Sequence, residues 1–215
     1  MAVSLAAGAP AVANPWLRRR SYLQDALLVC VSGLFFYVHL GHAIREASAT
    51  NLFFAIEQGV LVGVFLSRRR TTTTSQRPWD WFVATIGGWG ALALQPDEAT
   101  GLQAVAGASV QVVGLFLVTV CLLNLGKSFG VVAANRGLKV RGPYRVVRHP
   151  VYASHLVTQL GFVLANPGLA NAAVVLTVTL FQVLRIRAEE RVLTETADYV
   201  SYARTVRWRL LPGVY

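Results

Sequence analysis

The chain alternates between long apolar stretches and shorter polar segments that are mostly basic. Six stretches have the length and apolar content of membrane-embedded helices, over residues 22–40, 51–66, 79–94, 102–125, 151–165 and 169–184. A helix needs about 20 residues to cross a bilayer, so the last two stretches are short for full spans. The pattern predicts an all-α polytopic membrane helix bundle with about six spans. Five spans followed by a short C-terminal helical hairpin remain the alternative.

The turn Asn166-Pro167-Gly168 separates the last two apolar stretches. Asn, Pro and Gly in succession are typical of a tight turn, so these stretches are predicted to fold back on each other as a hairpin. The organisation that follows has three parts: an N-terminal tail over 1–21, a four-span bundle over 22–125, and a loop, hairpin and C-terminal segment over 126–215.

Composition supports a membrane protein, because 54% of the residues are hydrophobic and only 14% are charged. Soluble domains carry about 25% charged residues. The net charge of +10 comes from basic residues in the segments between apolar stretches, which argues against a nucleic-acid partner and favours anionic membrane lipids.

The basic residues also predict the orientation of the bundle. With six spans, every Lys and Arg except Arg45 lies on one side. The positive-inside rule makes that side cytoplasmic and places both termini there. The small size of the chain favours the plasma membrane of a prokaryote.

A few polar residues interrupt the apolar stretches. Glu57 lies in the middle of the second stretch, and its carboxyl group either serves a function or bonds to a neighbouring helix. His39 and His42 are three residues apart at the end of the first stretch, but two ligands are too few for a metal site, so no metal is expected.

The chemistry-bearing residues fall in two segments near the C-terminus. The first, from Lys127, reads KSFGVVAANRGLKVRGPYRVVRHPVYASHL and is dense in Gly, Pro, Arg and Tyr. Pro150 suits the first turn of a helix, which places His149 at a helix N-terminus. The second reads RIRAEE, in which Arg185 and Glu189 are four residues apart and share a helix face. The predicted hairpin brings both segments to the cytoplasmic side.

These motifs resemble the isoprenylcysteine carboxyl methyltransferases and the related phospholipid methyltransferases. The resemblance rests on GPYRVVRHPVY, the Asn-Pro turn, RIRAEE, the pair Tyr199 and Tyr202, and the terminal WRLLPGVY, and it covers about 122–215. It implies a membrane enzyme that transfers a methyl group from S-adenosylmethionine to a lipophilic acceptor, which is either a small molecule or a lipid-modified substrate, at the cytoplasmic face.

The resemblance also implies site residues. Glu189 would accept a hydrogen bond from the ammonium group of the cofactor, and Arg185 would face the acceptor. The residues implied to bind the cofactor are Arg136, Gly137, Leu138, Lys139, Tyr144, His149, Pro150, Tyr152 and Glu189. The catalytic residues implied are Arg185 and Glu190.

The chemistry of the acceptor decides whether a base is needed. Arg185 could orient a carboxylate through a bidentate contact, and a carboxylate needs no base. An amine or hydroxyl acceptor does need one, for which Glu190 and Tyr152 are the candidates. The identity of the acceptor is left open by the sequence.

Two other functions compete with methyl transfer. NADPH-dependent sterol reductases have a similar helical architecture with basic loops before a C-terminal hairpin, and a non-catalytic membrane scaffold is also compatible with the spans. The combination of RHPVY with RIRAEE favours methyl transfer.

Overall fold

The computed structural model describes residues 15–69, 74–96 and 100–215, with side chains from residue 22 onwards. The described chain is helical, and its one isolated β-bridge joins Thr74 and Ala134. The helices are α1 (Pro15–Glu46), α2 (Ala49–Ser67), α3 (Pro78–Trp89), α4 (Gly101–Leu125), α5 (Pro150–Ala165), α6 (Leu169–Leu193) and α7 (Ala197–Thr205).

The six predicted apolar stretches correspond to α1 through α6. Among the described residues, four helices are long and apolar enough to cross a membrane: α1, α2, α4 and α6. Helix α3 has 12 residues and α5 has 16, so each falls short of that length. The all-helical membrane fold is therefore confirmed, whereas six full crossings remain a prediction.

Two boundaries differ from the sequence-based prediction. Helix α1 begins at Pro15, so residues 15–21 of the predicted N-terminal tail are helical; residues 1–14 lie outside the described part of the chain. Helix α6 continues to Leu193, nine residues past the predicted end of its apolar stretch. The RIRAEE segment consequently lies on a continuous helix.

The basic segments meet at one end of the bundle, here called the basic end. The backbone N–H of Arg69 donates to the carbonyl of Lys127 (2.7 Å), and that of Ser75 donates to Ala133 (2.9 Å). Arg68, just after α2, pairs with Asp25 of α1. These contacts join the segment after α2 to α1 and to the segment after α4.

At the opposite end of the bundle, the segments that connect consecutive helices also contact each other. Asn171, in the first turn of α6, donates to the carbonyl of Gln95 (2.9 Å), and Gln103 in α4 donates to Leu164 (3.0 Å). Helices α3 and α5 thus run between the same two ends as the longer helices, despite their length.

Helices α4 and α5 pack closely because glycines remove side chains at their contact. A Cβ on Gly161 would lie 2.5 Å from the backbone nitrogen of Gln111, and Gly107 and Gly114 similarly face Ala165 and Thr158. Small residues allow this approach between membrane helices. The contact fixes α5 against the rest of the bundle and so positions its N-terminus at the basic end.

Candidate functional site

A cavity of about 940 Å³ extends from the basic end of the bundle past the middle of the helices. Its volume is within the range of small-molecule and cofactor sites, roughly 300–1,000 Å³. Nine of the predicted site residues line it: Arg136, Gly137, Leu138, Lys139, Tyr144, His149, Tyr152, Arg185 and Glu189. Pro150 and Glu190 do not line it.

Four of these side chains form a connected group at the cavity wall. The hydroxyl of Tyr152 donates to Glu189 Oε1, and Arg185 Nε donates to the same oxygen at 3.3 Å. His149 Nδ1 lies 3.7 Å from Glu189 Oε2, and the Arg185 guanidinium lies 5.1 Å from the centre of the Tyr152 ring. The hairpin therefore brings the two motifs together as the sequence predicts.

The local sequence explains how each side chain is placed. Pro150 occupies the first position of α5, where its missing N–H would have no helical partner. His149, immediately before it, donates its backbone N–H to the carbonyl of Arg209 at 2.9 Å. Arg185 and Glu189 lie one turn apart on α6, so both face the cavity.

Glu190 points away from the cavity and binds several groups. Arg148 Nε lies 2.9 Å from its carboxylate, Arg209 Nε donates at 2.7 Å, and His149 Nε2 lies at 3.3 Å. The hydroxyl of Tyr199 also donates to it at 3.2 Å. A carboxylate surrounded by two guanidinium groups is strongly held as an anion, which disfavours its use as a proton acceptor.

The loop before α5 contributes polar groups that have no partner among the described residues. Tyr144 is buried, and its hydroxyl oxygen has no hydrogen-bond partner there; the same is true of Arg136 Nε. Burial, with the nearby charge of Arg68, lowers the pKa of Arg136 to about 10, which still leaves it cationic at neutral pH. Unsatisfied buried groups at a cavity wall are typical of a site that binds a polar ligand.

The conformation of this loop depends on two glycines. Gly137 has φ of +99° and Gly142 has φ of +58°, both in the left-handed region. A Cβ on Gly142 would also lie 2.5 Å from Asn124 Oδ1. These positions explain the glycines in the RGLKVRGPY segment.

The structure adds contributors to the site that the sequence did not single out. The carbonyl of Gly130 accepts from Arg185 Nη2 at 3.2 Å, and Arg148 and Arg209 hold Glu190. Arg148 adjoins His149 in the quoted motif and Arg209 belongs to the terminal WRLLPGVY, but nothing in the spacing predicts that they share a carboxylate. Among the described residues, no three His, Cys, Asp or Glu side chains are grouped to hold a metal.

The segment that contains this site matches a known protein family. Residues 102–197 match the phospholipid methyltransferase family. The match confirms the family resemblance drawn from the motifs. Together with the long apolar helices, it indicates an integral membrane protein in which residues 102–197 are similar to a methyltransferase family. No curated protein matches the chain significantly.

The matched segment includes the loop before α5, both hairpin helices and the group of four side chains. Helices α1 to α3 lie outside it, as does the C-terminal tail. Even so, the tail contacts the site, since the backbone N–H of Arg148 donates to the carbonyl of Trp208 at 2.9 Å. Residues beyond the matched segment thus contact the site.

Proposed function

We propose that the protein is an S-adenosylmethionine-dependent methyltransferase acting on a lipophilic acceptor. The observation that carries the proposal is the group of His149, Tyr152, Arg185 and Glu189 at the wall of a large cavity, within the segment that matches a membrane methyltransferase family.

The residues at the basic end of the cavity suit this cofactor. Glu189 offers a carboxylate for an ammonium group, while Arg136 offers a cationic donor for a carboxylate. The unpartnered Tyr144 hydroxyl supplies a further polar contact. Gly137, Leu138 and Lys139 line the same part of the cavity, and His149 and Tyr152 complete it, with Pro150 fixing His149 at the start of α5.

When bound, S-adenosylmethionine supplies an electrophilic methyl group on its sulfonium sulfur. The task of the protein is then to align the acceptor and exclude water. Arg185 lies beside Tyr152 and Glu189, and its guanidinium is suited to orient the acceptor group. We assign Glu190 a positioning role through His149, because its carboxylate is bound by Arg148 and Arg209.

An amine or hydroxyl acceptor would need to lose a proton. Tyr152 lines the cavity and donates to Glu189, so this pair is better placed than Glu190 to accept a proton. A carboxylate acceptor would need neither residue as a base.

The distribution of charge supports a reaction at the cytoplasmic face of the membrane. Residues of the basic segments line the cavity at one end of the bundle, which by the positive-inside rule is the cytoplasmic face. Large apolar side chains such as Leu102, Leu169 and Leu176 face outward, as expected for lipid contact. We place the enzyme in the plasma membrane of a prokaryote, with its cofactor site facing the cytoplasm.

Calorimetry on protein in lipid nanodiscs tests the cofactor. S-adenosylhomocysteine, the expected product, should bind saturably, and NADPH should give no saturable heat. Glu189→Ala should weaken the binding, while Glu195→Gln, an exposed carboxylate outside the cavity, should not. Saturable binding of NADPH without binding of S-adenosylhomocysteine would replace methyl transfer by a reductase function.

A further inference from the structure

The cavity continues beyond the cofactor end and meets buried polar side chains in the middle of the bundle. Five of them come from five different helices: Ser32 from α1, Glu57 from α2, Gln111 from α4, Gln159 from α5 and Gln182 from α6. All five are less than 8% exposed, and all line the cavity. We call this set the polar belt.

Two members of the belt lack partners among the described residues. Glu57 is 4% exposed, and no hydrogen bond or ion pair joins it to another described residue. The side-chain oxygen of Gln159 is buried and likewise without a partner there. Leaving such groups unsatisfied in a membrane protein is costly, so their retention at a cavity wall indicates a ligand.

The belt lies deeper than the group that would hold the cofactor. Gln159 follows Tyr152 by seven residues on α5, which corresponds to about 10 Å along the helix. Gln182 precedes Arg185 by three residues on α6, which runs toward the basic end. A molecule that reaches the belt from the reacting centre must therefore extend into the apolar bundle.

The chemistry of the belt restricts what binds there. It holds one carboxylate, three amides and one hydroxyl, with no Lys or Arg. An anionic group there would lie near the Glu57 carboxyl group without a compensating cation from the belt itself and would be disfavoured. A hydroxyl or amine instead donates to the Glu57 carboxylate and the Gln159 oxygen.

We infer that the polar belt is a specificity subsite for the methyl acceptor, selecting a lipophile with a hydrogen-bond donor, a hydroxyl or an amine, about 10 Å from the reacting group. The assignment of the occupant as the methyl acceptor rests on the proposed function. The donor-selective subsite itself rests on Glu57 and Gln159 and can be tested without turnover.

Three probes of equal chain length test the belt: tetradecanol, tetradecylamine and methyl tetradecyl ether, which has no donor. Binding is measured by calorimetry with protein in nanodiscs, and the heat of partition into protein-free nanodiscs is subtracted. The alcohol, the amine or both should bind wild-type protein at least tenfold more tightly than the ether. Glu57→Leu and Gln159→Leu should remove most of that advantage.

Glu57→Gln distinguishes binding of the alcohol probe from binding of the amine probe. It keeps a hydrogen-bond acceptor but cannot ionise to pair with an ammonium group, so the alcohol should keep its affinity within about threefold, whereas the amine should lose about tenfold or more. The control Glu195→Gln makes the same change at an exposed position and should leave all three affinities within twofold.

The failures of the two proposals are distinguishable. Each variant is also titrated with S-adenosylhomocysteine, which reports both folding and the cofactor site. Equal affinity of all three probes for wild-type protein, or unchanged affinities in Glu57→Leu, would overturn the subsite even where S-adenosylhomocysteine binds. Failure of S-adenosylhomocysteine to bind wild-type protein would instead count against the proposed function. The selectivity of the belt among the three probes would still be judged from their own affinities.

Discussion

Glu189 and Glu190 approach the same imidazole from its two ring nitrogens: Glu189 Oε2 lies 3.7 Å from His149 Nδ1, and Glu190 Oε1 lies 3.3 Å from Nε2. Consecutive residues on a helix point about 100° apart, so one carboxylate faces the cavity and the other faces the C-terminal tail. The two glutamates should consequently respond differently to the same substitution.

Glu190→Gln should chiefly destabilise the fold. The change leaves the buried Arg148 guanidinium without its carboxylate and loosens Arg209, which anchors the tail. Removing one partner of a buried ion pair costs about 3–5 kcal/mol, of which we expect the lower part because Arg209 is partly exposed. Thermal unfolding in nanodiscs measures this, and an unchanged Tm would mean that the ion pairs of Glu190 do not stabilise the fold.

Glu189→Gln should chiefly weaken cofactor binding. A hydrogen bond to a charged group contributes about 1.5–3 kcal/mol, so the affinity for S-adenosylhomocysteine should fall roughly 10- to 100-fold. The Tm should change less than in Glu190→Gln, because the Glu189 carboxylate lines the cavity. If the Kd from calorimetry stays at the wild-type value, the ammonium contact is not made by Glu189.

Tyr144→Phe separates ligand binding from folding. The Tyr144 hydroxyl has no partner among the described residues, so its removal should leave the Tm unchanged or slightly raised. The same change should weaken the binding of S-adenosylhomocysteine. We expect a five- to tenfold rise in Kd, about 1 kcal/mol.

Tyr202→Phe is the matched control for that change. Its hydroxyl donates to the backbone carbonyl of Tyr144 at 2.7 Å, so its loss should cost about 1 kcal/mol of stability. If Tyr144→Phe lowers the Tm as much as Tyr202→Phe does, the Tyr144 hydroxyl has a structural role instead.

Arg185→Ala should affect turnover more than cofactor affinity. Without Arg185, Glu189 keeps the Tyr152 hydroxyl and His149 as partners, so the Kd of S-adenosylhomocysteine should change by less than about fivefold. Because the acceptor loses its orienting guanidinium, kcat should fall by roughly 100-fold. Arg185→Lys should recover only part of the rate, since an ammonium group cannot form the bidentate contact.

A loss of cofactor binding in Arg185→Ala would contradict the assignment of Arg185 to the acceptor. Arg185 also donates to the carbonyl of Gly130, so that outcome would mean that Arg185 mainly orders the cofactor loop. Single-turnover kinetics with each variant distinguish a slower chemical step from weaker binding.

Much of this architecture could be predicted from local sequence signals. The apolar stretches locate six helices, and the Asn166-Pro167-Gly168 turn predicts the hairpin that brings His149 to Glu189. These features depend on short-range chemistry: helix length, turn residues and the i, i+4 spacing of Arg185 and Glu189.

Other features depend on long-range packing and left no local signal. Arg209 reaches Glu190 through the folding back of the tail, and Arg191 reaches Asp80 of α3 at 3.2 Å across more than a hundred residues of chain. The sequence marks Glu57 as an unusual carboxyl group within an apolar stretch, but it does not show that Gln159 and Gln182 line the same cavity. Side chains on separate helices are brought together by the bundle, so their grouping is visible in the structure.

Transfer of an isotopically labelled methyl group tests the central claim most directly. Membranes containing the protein are incubated with methyl-labelled S-adenosylmethionine, and label is counted in the solvent-extracted lipophilic fraction. We predict incorporation with wild-type protein and with Glu195→Gln, and a loss of at least tenfold with Glu189→Ala or His149→Ala. Incorporation no greater than in membranes lacking the protein, or equal in all variants, would contradict methyl transfer at this site.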